Sequence, residues 1–231
     1  MTPVAFITGA SQGLARQIAL ALAAEGVRIA MNDLNPLALD QAAQEIHQLG
    51  GEVLCVHADV VNKMALQTAL YQVIEQWGRI DILVNGAYAA PRSELTKLDE
   101  YDWDRTLDVN LKGAFVAIQT LARFWEKADA TETGTVVNLL AGAPIVRAGK
   151  PTLAEVASQW GVLGLTQTAA RELANQNVRV FAITTPAGRS ILAGQTPVAD
   201  GVETQQQVVE QVKQLCLAQD FPASGSILAV A

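Results

Sequence analysis

Apolar residues in this chain follow two patterns that alternate from end to end. Short, nearly continuous apolar runs occur at Val4–Thr8, Arg28–Asn32, Glu52–Ala58, Ile80–Asn85, Gly134–Leu139, Val178–Thr184 and Ser226–Val230. Runs this short, with no polar alternation, predict strands buried on both faces, as in parallel sheets. Between them, Gln12–Glu25, Pro36–Leu49, Lys63–Gly78, Trp103–Lys127, Ala154–Gln176 and Glu203–Gln219 carry apolar residues at helical spacing. A strand followed each time by a helix requires right-handed crossovers, so the helices must cover both faces of one parallel sheet.

The expected fold class is therefore α/β, a Rossmann-like doubly wound parallel sheet of about seven strands with helices on both faces. In such sheets the ligand crevice opens at the carboxyl ends of the strands. The 231 residues suffice for one domain, 1–231, and the Gly-, Pro- and small-residue-rich stretch over Pro186–Gly201 reads as a loop.

Composition narrows the function. Half of the residues are hydrophobic, which excludes a disordered chain, yet no apolar run reaches the roughly 20 residues of a membrane-spanning helix. The first residues, Met1-Thr2-Pro3, lead straight into a strand without a signal-peptide pattern, so a cytoplasmic location is expected. A net charge of −7 argues against a nucleic-acid or anionic-membrane partner. Cys55 and Cys216 lie in apolar stretches and read as free core thiols, while His47 and His57 lack metal-ligand spacing, so no metal site is expected.

The first strand runs into Thr8-Gly9-Ala10-Ser11-Gln12-Gly13-Leu14-Ala15, which opens directly into a helix. Glycines there allow a tight turn and close approach of a pyrophosphate, and the helix N-terminus offers unpaired N–H groups. Gly9, Ser11, Gln12, Gly13 and Leu14 are therefore candidate cofactor contacts. Asp33 ends the second strand about 20 residues further on, where a carboxylate can hold a ribose 2′-hydroxyl and repel a 2′-phosphate. NAD(H) is accordingly favoured over NADP(H), with Leu34 beside it. Asp33 also has a plainer role open to it, capping the Asn35-Pro36 turn.

These motifs resemble the short-chain dehydrogenase/reductase family. The glycine loop matches its Thr-Gly-x-x-x-Gly-x-Gly signature except that Ala15 replaces the last glycine. Asp59-Val60 resembles its adenine-contacting Asp-Val pair, and Asn85-Gly86-Ala87-Tyr88 stands where the family has Asn-Asn-Ala-Gly. Asp59, Val60, Asn85, Gly86 and Ala87 thus join the expected cofactor site through the resemblance. Asp108-Val109-Asn110-Leu111-Lys112-Gly113 is similar to the family's Asn-containing helix. The plainer reading of Asn110 is a helix-bend residue bonded to backbone.

The resemblance implies a catalytic Ser, Tyr and Lys, and this chain carries other residues there. Counting from Asn138 puts Ala141 at the Ser position, and counting back from the next motif puts Gly142 there. Gly164-Leu165-Thr166 fixes Glu155 and Gln159 at the Tyr and Lys positions, an i, i+4 pair on one helix face. No catalytic residue is assigned. Glu155 could serve as acid or base if burial raised its pKa, and Tyr88, Arg147 or Lys150 could reach the site from adjoining loops. A short substrate lid is expected at about 187–201.

The expectation is an NAD(H)-binding relative that is catalytically degenerate: a sensor, regulatory or structural subunit. It is expected to form a homodimer or homotetramer through helices Trp103–Lys127 and Ala154–Gln176, or to pair with an active homologue. The alternative is an NAD-dependent oxidoreductase acting on a carbonyl or alcohol with unusual residues such as Glu155. A scaffold without ligand follows if Ala15 and Gly86 close the pocket.

Overall fold

The computed structural model describes residues 2–91, 93–127, 134–140, 152–184, 202–218 and 223–229. Seven strands, β1 (Val4–Thr8), β2 (Arg28–Asp33), β3 (Val53–His57), β4 (Ile82–Asn85), β5 (Gly134–Leu140), β6 (Val178–Thr184) and β7 (Ile227–Ala229), form one sheet. Its order is β3-β2-β1-β4-β5-β6-β7, and every pairing is parallel. The doubly wound fold expected from the alternating pattern is the one observed. The chain reverses its direction of winding between β1 and β4, so the crevice outside their carboxyl ends is the topological switch point.

Alternate residues of β1 feed the two faces of the sheet. Ala5 and Ile7 pack with α1 (Gly13–Ala24), α2 (Pro36–Gln48) and α7 (Val202–Leu217) through Ile18, Leu22, Leu39, Ile46, Val208 and Val212. Val4 and Phe6 pack on the other face with Leu66, Leu70 and Val73 of α3 (Lys63–Trp77), and with Val116, Leu121 and Trp125 of α5 (Gly113–Trp125). The Trp125 indole N–H donates to the Ile80 carbonyl at 2.8 Å. Its ring also stands about 3 Å from where a Cβ at Gly134 would be, so β5 must start with glycine.

Side chains mark the helix starts. Asn35, Asn62 and Asp99 accept the backbone N–H of Ala38, Ala65 and Asp102, capping α2, α3 and α4 (Glu100–Leu107). Thr152 and Glu155 form a reciprocal capping box at the start of α6 (Leu153–Glu172). Gln12 gives α1 no such cap, which leaves its first N–H groups without a side-chain acceptor.

Two expected helices differ in detail. The stretch expected over Trp103–Lys127 begins earlier, at Glu100, and widens into a π-helical turn over Asp108–Lys112 before continuing as α5. The helix expected to run to Gln176 ends at Glu172, and a 3-10 turn over Ala174–Gln176 leads to Asn177, whose φ is +61°. Ala141, Gly142, Arg147, Lys150 and the expected lid at 187–201 lie outside the described residues.

Candidate functional site

The β1–α1 loop is shaped by its neighbour as much as by its own turn. Gly9 has φ +67°, and a Cβ on it would lie 2.8 Å from backbone atoms of Gly86 and Ala87. Thr8 fastens the same two segments, its hydroxyl accepting the N–H of Gly86 at 3.0 Å and of Ala87 at 3.2 Å. Gly86 in turn faces Ala15: a Cβ at residue 86 would come within 2.8 Å of the Ala15 methyl and of the Thr8 carbonyl oxygen. The two departures from the family pattern, an alanine for glycine and a glycine for asparagine, therefore stand face to face. They border the cleft together without closing it.

That cleft, of about 220 Å³, lies at the switch point. Gly9, Gln12, Asp33, Leu34, Asp59, Val60, Gly86 and Ala87 all line it. Gly13, with φ +60°, turns the chain into α1. Ser11 and Leu14 are buried instead: the Ser11 N–H donates to Asp33 Oδ2 at 3.1 Å, and Leu14 packs into the core. Asn85 is also buried, its amide donating to Asn138 Oδ1 at 2.8 Å across the β4–β5 register.

Asp33 fills the plainer of the two roles left open for it. Its Oδ1 accepts the N–H of Leu34 at 2.7 Å and of Asn35 at 3.2 Å, bracing the turn into α2. A carboxylate has about four acceptor sites, so capacity remains for a hydroxyl in the cleft. Asp59 accepts the Val61 N–H at 3.1 Å and pairs with Arg105 of α4 at 3.2 Å. Arg105 lines the cleft, and nothing in its helical spacing pointed to it.

Asn32 was also missed, although a polar residue inside an apolar strand is a readable signal. It is wholly buried, and its amide donates to the carbonyls of Val56 and Ala58, both at 3.0 Å. Its Oδ1 has no partner among the described residues, and the residue lines the cleft. A buried acceptor without a partner is rare.

The neighbouring region around α6 is bonded to itself. The Tyr88 hydroxyl donates to Glu155 Oε1, while Oε2 accepts the Thr152 N–H at 3.3 Å. Burial, the Glu155 charge and the hydrogen bond to it push the Tyr88 hydroxyl far above its ordinary pKa. A tyrosine activated for proton transfer needs the opposite, a nearby cation. Asn110, in the π-helical turn, accepts the Ala89 N–H at 2.7 Å and donates to the Ala89 carbonyl and to Ser158 Oγ. Gln159 is buried beside an inner cavity of about 10 Å³, room for about one water.

Among the described residues, no group of three or more His, Cys, Asp or Glu is placed to hold a metal ion. No described helix is long and apolar enough to cross a membrane. Cys55 and Cys216 are free thiols, and burial pushes Cys216 up to about 12.

A doubly wound sheet with a glycine loop at its switch point and a carboxylate ending β2 is the arrangement found in dinucleotide-binding α/β proteins. The family model for short chain dehydrogenases matches residues 3–197, and the chain belongs to that oxidoreductase family, whose members bind NAD(P)(H). It is 37% identical to the 3-oxoacyl-(acyl-carrier-protein) reductase FabG of Staphylococcus epidermidis, over 79% of this chain and 74% of that one. It is 34% identical to the corresponding FabG of Thermotoga maritima, over 78% of this chain and 72% of that one. Among solved structures, a short chain dehydrogenase from Bacillus anthracis superposes with a TM-score of 0.83 at 27% identity, covering 99% of this chain and 94% of that one.

Proposed function

We propose that this family member binds NAD(H) in the cleft at the switch point and has lost hydride-transfer chemistry, serving as a sensor, regulatory or structural subunit. One observation carries the reading: the side chain at the family's Tyr position, Glu155, is committed to a capping box and to the Tyr88 hydroxyl. Glu155 holds α6 in place, and Gln159 brings no charge to lower a neighbour's pKa. A positioned general acid is worth about 10²–10⁴-fold in rate, and none of the described side chains around the cleft is poised as one.

The residues present fit the adenosine half of a dinucleotide. Asp33 would hold ribose hydroxyls and disfavour a 2′-phosphate, so NAD(H) is favoured over NADP(H). The uncapped N-terminus of α1 would face the pyrophosphate. Gly9, Ser11, Gln12, Gly13, Leu14, Leu34, Asp59, Val60, Asn85, Gly86 and Ala87 form or support this site. Bound nicotinamide supplies a hydride donor or acceptor in the family. Exposed Phe115 on α5 and Trp160 on α6 fit a homodimer or homotetramer, or pairing with an active homologue, and the whole chain is read as one domain.

The second reading is an NAD-dependent oxidoreductase acting on a carbonyl or alcohol through Glu155 and Tyr88. Identity of 37% to a protein named as a reductase favours it. A turnover screen of carbonyls with NADH and of alcohols with NAD⁺ separates the two. The proposal expects no turnover in the wild type and unchanged NADH binding in Glu155→Gln. Turnover that Glu155→Gln abolishes would establish the second reading instead.

A further inference from the structure

The cleft ends at a side chain. Tyr88, with Val60, Ala87 and Val109, borders both the 220 Å³ cleft and the 10 Å³ inner cavity, and so forms the wall between them. Its ring spans from the loop after β4 to the start of α6, where the hydroxyl is tied to Glu155. The far anchor is itself fixed, because Glu155 and Thr152 cap each other.

Among the described residues, none from β5 or α6 lines the cleft. Asn138 and Leu139 of β5, and Gln159 and Val162 of α6, border only the inner cavity. That cavity has room for about one water and none for an aromatic ring. A dinucleotide with its reactive ring beside positions 155 and 159 would need the space that Tyr88 occupies. The family pattern has glycine at this position, so the obstruction belongs to this chain.

We propose that the protein recognises the adenosine diphosphate-ribose part of its ligand and keeps the nicotinamide ring out, the ring's place being taken by Tyr88 latched to Glu155. The proposal rests on the reading that the cleft holds a dinucleotide. The recognition groups all lie on the open side of Tyr88: Asp33 for ribose hydroxyls, the α1 N-terminus for pyrophosphate, and the Asp59–Arg105 pair at the edge. Oxidised, reduced and nicotinamide-free ligands then look alike to the protein.

Calorimetric titration of the full chain with ADP-ribose, NAD⁺ and NADH tests this. Wild-type dissociation constants are expected to agree within about threefold. Tyr88→Gly should tighten NADH about tenfold and leave ADP-ribose unchanged, while Tyr88→Phe, which keeps the ring, should tighten neither. NADH bound to the wild type should show the fluorescence of free cofactor, a readout that stands even if Tyr88→Gly fails to fold. A wild type that prefers NADH over ADP-ribose by tenfold or more, enhances nicotinamide emission, or gains nothing from a folded Tyr88→Gly overturns the proposal while leaving the cleft a nucleotide site. Failure of all three ligands to bind at millimolar concentration overturns both the proposal and the reading beneath it.

Discussion

The two sides of the switch point use polar side chains in opposite ways. On the β1–β3 side, Asp33 and Asp59 fasten loops with part of their hydrogen-bonding capacity and line an open cleft, while the Asn32 Oδ1 is left without a partner. On the β4–β6 side the polar groups consume one another. Asn85 donates to Asn138, Asn138 to Thr166 and Thr166 to the Val162 carbonyl, while Asn110 reaches Ser158 and Tyr88 reaches Glu155. The Asn85 Oδ1 is the exception, buried without a partner among the described residues. Spare capacity beside a cavity is what a ligand site needs, and a closed network offers none.

The largest effect should come from breaking the open side at Gly9. Gly9→Val forces a branched side chain into backbone of Gly86 and Ala87 at positive φ. Thermal unfolding should show a loss of about 2 kcal/mol or more, and nucleotide binding should become undetectable by calorimetry. Binding that survives intact would show that the cleft does not depend on this loop.

A second change tests whether Ala15 and Gly86 act as a pair. Gly86→Asn alone should cost about 1–3 kcal/mol, because its Cβ meets the Ala15 methyl and the Thr8 carbonyl. Adding Ala15→Gly should recover part of that cost, a coupling of about 0.5–1.5 kcal/mol in a double-mutant cycle of denaturant melts. Strict additivity would refute the coupling.

The smallest effect lies on the closed side and appears only at high pH. The folded-state pKa of Tyr88 is raised above the unfolded value of about 10. Its contribution to stability is therefore fully present below pH 10 and falls as pH rises further, because the unfolded chain releases a proton that the folded one retains. Tyr88→Phe should show a shallower loss of stability above pH 10 than the wild type in parallel urea melts. Identical slopes would mean that Tyr88 is not held by Glu155.

Much of this was legible in the residues. Alternation of apolar runs with helical spacing gave the parallel sheet and all seven strands to within a residue or two, because strands buried on both faces leave a plain hydrophobic trace. The glycine loop and Asp33 were readable because strand, turn and helix follow one another in sequence. The π-helical turn at Asp108–Lys112 left no such trace, since one added residue per turn barely disturbs helical periodicity. The partnerships that decide the site were equally hidden. Tyr88 and Glu155 are 67 residues apart, and Arg105 and Asp59 are 46 apart, so only the fold brings them together.

The proposed function requires the nucleotide half of the site to be usable although the chemical half is bonded to itself. Titration with NADH and NADPH, read by calorimetry, decides this. Saturable NADH binding at one per chain, with NADPH weaker by about tenfold or more because Asp33 repels the added phosphate, is the predicted result. Equal affinity for the two cofactors would contradict the role of Asp33, and no binding of either at millimolar concentration would contradict a nucleotide site in the cleft.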